Sequence, residues 1–221
     1  MFKSMIASIT GKRPQVVKPF GDNKDQKAVA FHLCGYDEMT AKALAVAFSE
    51  VDQVEVAQGD ILHLKCDALV SPSNSFGEMG GGLDKAIDDF YDGQAQTKAC
   101  AAIRQEYLGE LPVGAGLALD MRTQQFPVLI LAPTMRIPGN VSATLNAYLA
   151  MRGLLLTLAR YNAKSDNKIR HIAIPSLCTG VGGMDAVESA TQMRAAFDNV
   201  VLRGWENVRH PAMAPFANRL E

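Results

Sequence analysis

The sequence has no long apolar run and almost no net charge, and each absence excludes a class of protein. No apolar stretch approaches the roughly 18 residues of a transmembrane helix, and the N-terminal segment has no convincing signal-peptide core. The 22 basic and 23 acidic side chains leave a formal net charge of -1. We therefore expect no membrane partner and no general nucleic-acid-binding patch.

Cysteines are few and scattered. Cys34, Cys66, Cys100 and Cys178 form no C-x-x-C pair and do not match the spacing of a zinc site. Four free thiols are typical of a reducing compartment, so we expect a cytoplasmic protein. We expect neither a metal nor a cofactor.

What the sequence does contain is an alternation of short apolar runs and amphipathic segments. The apolar runs predict strands at 28–33, 54–56, 68–70, 117–119, 128–131 and 169–174. Helices are predicted after a cap at Thr40, from Leu83, at 97–107, after a cap at Ser142, and after a D-x-x-E capping pattern formed by Asp185 and Glu188. The helix after Ser142 is expected to bury Leu145, Tyr148, Leu149, Leu155, Leu156 and Ala159. The alternation predicts an α/β fold with helices on both faces of a sheet.

The length and composition set the number of domains. A chain of 221 residues with 48% hydrophobic content is able to bury one sizeable core. We expect one domain at 28–204, between an N-terminal arm at 1–27 and a C-terminal tail at 205–221.

Two glycine-rich loops each follow a predicted strand and open a helix. Gly80, Gly81 and Gly82 lie between the strand at 68–70 and the helix from Leu83, and a second loop spans 176–183. Glycines allow close approach to the backbone, and the first N–H groups of a helix have no partner inside it. If the two strands are parallel, both loops lie at one edge of the sheet. A pair of such loops suits a diphosphate better than a single phosphate.

The two loops belong to a series of motifs that occur along the chain in a characteristic order. They are Gly59-Asp60-Ile61, Asp67-Ala68-Leu69-Val70 with Asn74, Gly80-Gly81-Gly82-Leu83, Ala132-Pro133, Ile172-Ala173-Ile174-Pro175 and Thr179-Gly180-Val181-Gly182-Gly183. In this order and spacing the chain resembles the macro domain family, whose members bind ADP-ribose. The resemblance implies a three-layer α/β/α fold around a central mixed, mostly parallel sheet. The form of the motifs is similar to a bacterial and phage branch that is sometimes labelled tail-protein-like.

The resemblance also implies ligand-binding roles. Asp60 would accept a hydrogen bond from the adenine amino group, and Ile61 would lie beside the ring. The distal ribose and the diphosphate would be bound by Asn74, Gly80, Gly81, Gly82, Leu83, Cys178, Thr179, Gly180, Val181, Gly182 and Gly183. Pro133 and Thr134 would form a wall near the adenosine.

Three positions depart from the family pattern. Ser71 stands where an Asn is usual, and Gly182 stands where an aromatic side chain usually covers the distal ribose. Phe76 is a candidate to replace that ring. Asp84 matches a catalytic Asp of some members, but Asp88 stands where these members carry a His.

The acidic residues of the loops and helices have structural as well as catalytic interpretations. Asp84 and Asp88 share a face of the helix, roughly opposite Leu83 and Ile87, and either orients a water or simply favours the first helical turn. Paired carboxylates also raise one another's pKa, which suits a general base or acid. For Asp185 we favour the role of helix cap over a catalytic role. Asp60 has an alternative role as a turn residue, and Asn74 has an alternative role as a loop residue.

Three functions remain open from the sequence. The first is a hydrolase of ADP-ribosylated macromolecules or of ADP-ribose 1''-phosphate. The second is a reader that binds ADP-ribose without turnover. The third is a phage-tail-associated structural protein with a vestigial pocket.

Overall fold

The computed structural model describes residue 20 and residues 28–218. Apart from Phe20, the predicted arm at 1–27 lies outside the described residues. The strands are β1 (Ala30–Gly35), β2 (Val54–Gln58), β3 (Ala68–Ser71), β4 (Leu117–Asp120), β5 (Val128–Leu131) and β6 (His171–Pro175). They form one sheet in the order β2-β1-β6-β3-β5-β4. Every neighbouring pair is parallel except β4 with β5.

Five α-helices in the described ranges cover this sheet. They are α1 (Glu38–Ala47), α2 (Gly82–Phe90), α3 (Gln94–Tyr107), α4 (Asn146–Lys164) and α5 (Ala186–Val200). Residues of α1, α4 and α5 form one core with one face of the sheet, and residues of α2 and α3 form a second core with the other face. The predicted three-layer α/β/α fold with a mixed, mostly parallel sheet is confirmed.

The central strands are continuous apolar runs because both of their faces are covered. In β3, Ala68 and Val70 join the core of α1, α4 and α5, while Leu69 joins the core of α2 and α3. Ile172 and Ala173 divide in the same way in β6. Helices on both sides therefore clamp the two strands that carry the glycine-rich loops.

Three predicted helix starts differ from the structure. The cap of α1 is Asp37, whose side chain accepts the N–H of Thr40, so Thr40 is the third residue of the helix. Ser142 lies in a turn that Asn140 closes, and α4 begins only at Asn146. Helix α3 begins three residues earlier than predicted. The D-x-x-E prediction is confirmed, because the Asp185 side chain accepts the N–H groups of Val187 and Glu188.

The buried face of α4 also differs from the prediction. The residues of α4 that are buried are Ala147, Ala150, Met151, Gly153, Leu154, Leu155, Thr157, Leu158 and Asn162. Most of the side chains that were predicted to be buried are only half-buried. A Cβ atom at Gly153 would lie 2.7 Å from the carbonyl oxygen of Ala115. A glycine is therefore required at 153, because α4 runs against the backbone of the loop at 114–115.

The segment after α5 contains two short 3-10 helices, Gly204–Asn207 and Pro211–Met213. The ring of Phe216 packs edge-on against Tyr148 of α4, with 5.7 Å between the ring centroids. The domain boundaries at 28–204 stay a prediction. Within the described ranges, no helix is both long enough and apolar enough to cross a membrane.

Candidate functional site

The two glycine-rich loops leave the sheet side by side. Strands β3 and β6 are adjacent and parallel, with Ala68 beside Ile172, and both loops follow the carboxyl ends of these strands. The chain after β3 continues into α2 on one face, while the chain after β6 continues into α5 on the other. Such a divergence creates a crevice at the carboxyl edge of a parallel sheet, which is the usual ligand position in this architecture. The prediction that both loops share an edge is confirmed.

A third loop, which follows β5, ties this edge together through Thr134. The N–H of Thr134 donates to the carbonyl of Ser73 at 2.9 Å, and its hydroxyl donates to the carbonyl of Pro72 at 2.9 Å. The carbonyl of Thr134 accepts Nδ2 of Asn146 at 2.8 Å. Thr134 is buried, as is the adjoining Pro133. The sequence placed both residues near the ligand but did not show that Thr134 braces the loop after β3.

Asn74 lies inside the first loop and holds its shape. Its Oδ1 accepts the N–H of Phe76 at 3.0 Å, and its Nδ2 donates to the carbonyl of Glu78 at 2.8 Å. The side chain is buried, so the alternative role as a loop residue is the one that these contacts show. The ribose-binding role stays a prediction. It is compatible with these contacts because the second proton of Nδ2 is available to donate to a ribose hydroxyl.

Phe76 projects from the same loop and is 40% exposed. The guanidinium carbon of Arg136 lies 5.5 Å from the centroid of its ring, within the range of a cation–π contact. Arg136 is itself held by Glu110 at 2.7 Å. The ring is therefore held at the surface beside the glycine-rich loop.

The three glycines form the start of α2. Gly81 is the N-cap residue, and Gly82 has a φ of +56°, a left-handed conformation that glycine adopts without strain. A Cβ atom on either residue would meet no atom within 4 Å. The N–H of Gly80 donates to Oε1 of Glu78 at 2.7 Å, so a carboxylate already occupies one donor of this loop. Leu83 is half-buried behind the glycines.

Asp84 is the carboxyl group that the fold directs toward the sheet. The hydroxyl of Ser71, at the end of β3, donates to its Oδ1 at 2.7 Å. Burial raises the pKa of Asp84 to about 6, the Ser71 hydrogen bond opposes that rise, and the Glu78 carboxylate adds to it. An acid–base group with a pKa close to neutral is suited to proton transfer. The sequence identified both residues but not the contact between them.

Asp88 makes a different contact. Its Oδ1 accepts the N–H of Gln96 at 2.9 Å, so it satisfies an N–H group in the first turn of α3. The prediction that Asp84 and Asp88 lie opposite Ile87 is wrong, because Asp84 and Asp88 contact the body of the protein and Ile87 is fully buried. These contacts favour a structural role for Asp88, and its catalytic role stays a prediction.

The second loop is tightly folded around Gly182. A Cβ atom at this position would lie 2.5 Å from the carbonyl oxygen of Cys178 and 2.8 Å from Cγ2 of Val141. The N–H of Val141 donates to the carbonyl of Gly182 at 2.8 Å. The position at which the family carries an aromatic side chain therefore has no room for any side chain here. A Cβ atom at Gly180, by contrast, would meet nothing within 4 Å.

The other residues of this loop shape its backbone. The hydroxyls of Ser176 and Thr179 lie 2.9 Å apart in a hydrogen bond. Val181 is exposed, and Gly183 has a φ of +63°. Cys178 also has a positive φ, of +65°. Burial raises the pKa of its thiol to about 12, which keeps it protonated and unsuited to nucleophilic attack.

Asp60 caps a short 3-10 helix, Ile61–His63, and Asp185 caps α5. Oδ1 of Asp60 accepts the N–H of Leu62 at 2.9 Å, while Oδ2 makes no hydrogen bond to the described residues. Asp60 follows β2, two strands away from β6, and its neighbour Ile61 is buried in the core of α2 and α3. Asp185 caps α5 through Oδ1. Oδ2 of Asp60 is thus available as an acceptor at the carboxyl end of β2, the outermost strand on this side of the sheet.

The sequence is similar to those of known proteins. The family profile described as Macro domain matches residues 70–193. An O-acetyl-ADP-ribose deacetylase of Salmonella typhimurium is 32% identical over 140 residues, which are 62% of this chain and 73% of that protein. The mouse ADP-ribose glycohydrolase MACROD1 is 26% identical over 175 residues, which are 75% of this chain and 50% of that protein.

A solved structure agrees with the fold. The macrodomain of Mycobacterium tuberculosis DarG superposes with a TM-score of 0.54 at 24% identity, over 65% of this chain and 88% of that chain. The tail-protein-like branch stays a prediction. The profile spans both glycine-rich loops and strand β6 and matches more than half of the chain, and the chain therefore belongs to the macro domain family.

Proposed function

We propose that this protein binds ADP-ribose in the crevice between the two glycine-rich loops and hydrolyses an ADP-ribosyl derivative there. The observation that carries this proposal is the position of both loops at the carboxyl ends of two adjacent parallel strands. Backbone N–H groups and the start of α2 supply partial positive charge from one side. The loop at 176–183 supplies further N–H groups from the other, which suits the diphosphate of ADP-ribose.

The ends of the ligand follow from this position. The adenine lies toward β2, where Oδ2 of Asp60 accepts its amino group. The distal ribose lies toward α2, near Asn74 and Phe76. The names of two relatives, an O-acetyl-ADP-ribose deacetylase and an ADP-ribose glycohydrolase, support a derivative of ADP-ribose as the substrate class.

Asp84 is the proposed base. Its pKa of about 6 leaves most of the carboxyl ionised at neutral pH. It accepts one proton from a water whose oxygen forms a bond to the anomeric carbon of the distal ribose. The bond from that carbon to the attached group breaks, and the leaving oxygen keeps the electron pair. ADP-ribose is the product.

Two finer points belong to the same proposal. We place the protein in the cytoplasm, since all four of its cysteines are free. The substrate is an ADP-ribosylated macromolecule or ADP-ribose 1''-phosphate, so the group that leaves is a side chain or end of the macromolecule, or the 1''-phosphate. Exposed Phe76 and Val181 lie on the loops that would face this group.

Calorimetric titration with ADP-ribose tests the binding half of the proposal. We expect Asp60→Asn to weaken binding by at least about 1 kcal/mol, because it keeps the Oδ1 acceptor that caps Leu62 but replaces Oδ2 with a second donor that opposes the adenine amine. Asp166→Asn, on the loop that precedes β6 at the opposite edge of the sheet, is the matched control and should bind as the wild type does. No heat of binding at millimolar ADP-ribose would refute the proposal.

Release of ADP-ribose from ADP-ribosylated protein and from ADP-ribose 1''-phosphate tests the catalytic half. The wild type should turn over at least one of them, and Asp84→Asn should remove that activity. Binding without turnover of either substrate would instead identify a reader.

A further inference from the structure

We infer that Ser71 is a positioning residue that holds and orients the Asp84 carboxylate for hydrolysis. The inference rests on the proposed function. It starts from the 2.7 Å hydrogen bond between the Ser71 hydroxyl and Oδ1 of Asp84. The two residues lie 13 positions apart, on either side of the first glycine-rich loop.

Ser71 provides a rigid point of attachment. It ends β3, none of its surface is exposed, and it pairs with Leu131 of β5. The N–H of Ala132 donates to its carbonyl at 2.9 Å. Its hydroxyl therefore has a fixed origin inside the sheet.

Helix α2 is less firmly packed against the protein than β3. It begins at the third of the three glycines, and of its nine residues Ile87 alone is fully buried, while Asp84 is half-buried. The bond from Ser71 reaches α2 in its first turn, where no side chain caps the helix. The contact therefore restrains the end of α2 that lies beside the crevice.

The two carboxylate oxygens of Asp84 have different roles: Oδ1 binds Ser71, and Oδ2 is left for the reacting water. A serine hydroxyl has one proton to donate, and here Oδ1 accepts it. Oδ2 makes no hydrogen bond to the described residues and is the oxygen available to a water. A hydrogen bond to a carboxylate also stabilises its charged form, so Ser71 opposes the effect of burial and keeps Asp84 ionised at neutral pH.

Ser71→Ala tests the inference, and Ser73→Ala is its matched control. Both serines are fully buried in the same segment, but the hydroxyl of Ser73 has no hydrogen-bond partner among the described residues. Ser71→Thr retains the hydroxyl and serves as the rescue variant. Each variant is first compared with the wild type by thermal unfolding and by calorimetric titration with ADP-ribose.

Three readouts then separate positioning from a merely structural role. In Ser71→Ala we expect the Kd for ADP-ribose to stay within about threefold, while kcat falls by about 10- to 100-fold. The acidic limb of the pH profile of kcat should move upward by about one pH unit. Carboxyl-carbon NMR, with Asp84→Asn to assign the signal, should show the same rise in the pKa of Asp84. Ser73→Ala should change none of these, and Ser71→Thr should restore activity at least in part.

The outcomes are distinguishable. An active wild type in which Ser71→Ala leaves kcat, the pH profile and the Asp84 pKa unchanged overturns the inference alone. Equal losses in Ser71→Ala and Ser73→Ala also overturn it, because they indicate a general effect on the loop. A wild type that binds ADP-ribose but turns over no substrate overturns the hydrolytic proposal, and the positioning role falls with it.

Discussion

Asp84→Asn should make the protein more stable at neutral pH. The folded protein raises the pKa of Asp84 from 3.8 to about 6, chiefly through burial. Because its pKa is raised, ionising this carboxyl group costs more free energy in the folded than in the unfolded state, and this difference destabilises the folded protein. That cost is absent below pH 3.8, grows as the pH rises, and is complete above about pH 6.

The size of the effect follows from the same values. At about 1.4 kcal/mol for each pH unit, the charged carboxylate of Asp84 destabilises the folded protein by roughly 3 kcal/mol at neutral pH. Asparagine has the same shape and still accepts the Ser71 hydroxyl, but it carries no charge to desolvate. We expect the variant to gain about 2 to 3 kcal/mol at pH 7.5 and close to nothing at pH 4.

Urea unfolding at the two pH values measures this difference. Asp89→Asn is the control on the same helix, because Asp89 is exposed and pairs with the exposed Lys85 at 2.7 Å. Its removal should change the free energy of unfolding by less than about 0.5 kcal/mol at either pH. An Asp84→Asn variant with the stability of the wild type at both pH values would refute the reasoning. A loss of stability that is equal at both would show that shape and not charge dominates at this position.

Two further predictions concern residues around the site. Asp88→Ala should destabilise the protein by about 1 kcal/mol in urea unfolding, because it removes the acceptor for the N–H of Gln96; a loss of ADP-ribose affinity without a loss of stability would contradict the structural role. Gly182→Tyr, which restores the aromatic residue of the family, should destabilise the protein by about 1 to 3 kcal/mol through clashes with the Cys178 carbonyl and Val141. Gly180→Tyr lies in open space and should be nearly neutral. Equal melting temperatures for the two tyrosine variants would show that the loop rearranges freely.

The sequence predicted the elements of this fold well because most of the signals are local. The apolar run of β3 and the D-x-x-E cap of α5 agree with the structure. The cap of α4 was placed three residues early, at Ser142 instead of Leu145, because Ser142 has the chemistry of a helix cap but serves in a turn with Asn140. A capping residue and a turn residue make the same short-range hydrogen bonds, so the sequence does not separate them.

The candidate site, too, was predictable where its features are local in sequence and unpredictable where they depend on contacts between distant residues. Local pattern identified both glycine-rich loops, the order of the motifs pointed to the family, and the resemblance to that family singled out Asp60 and Asp84. Local pattern did not show that the Asp88 carboxylate is engaged by Gln96, since that contact depends on how α3 turns back beside α2. Nor did it show how tightly Gly182 is packed.

By itself, then, the sequence determined which segments are strands and helices and which loops carry glycine, because these depend on the periodicity and conformational freedom of neighbouring residues. Only the tertiary structure decided that β3 and β6 lie side by side and that Ser71 reaches Asp84. Strand order and contacts between distant side chains arise from packing across the whole sheet. No short stretch of the chain contains that information.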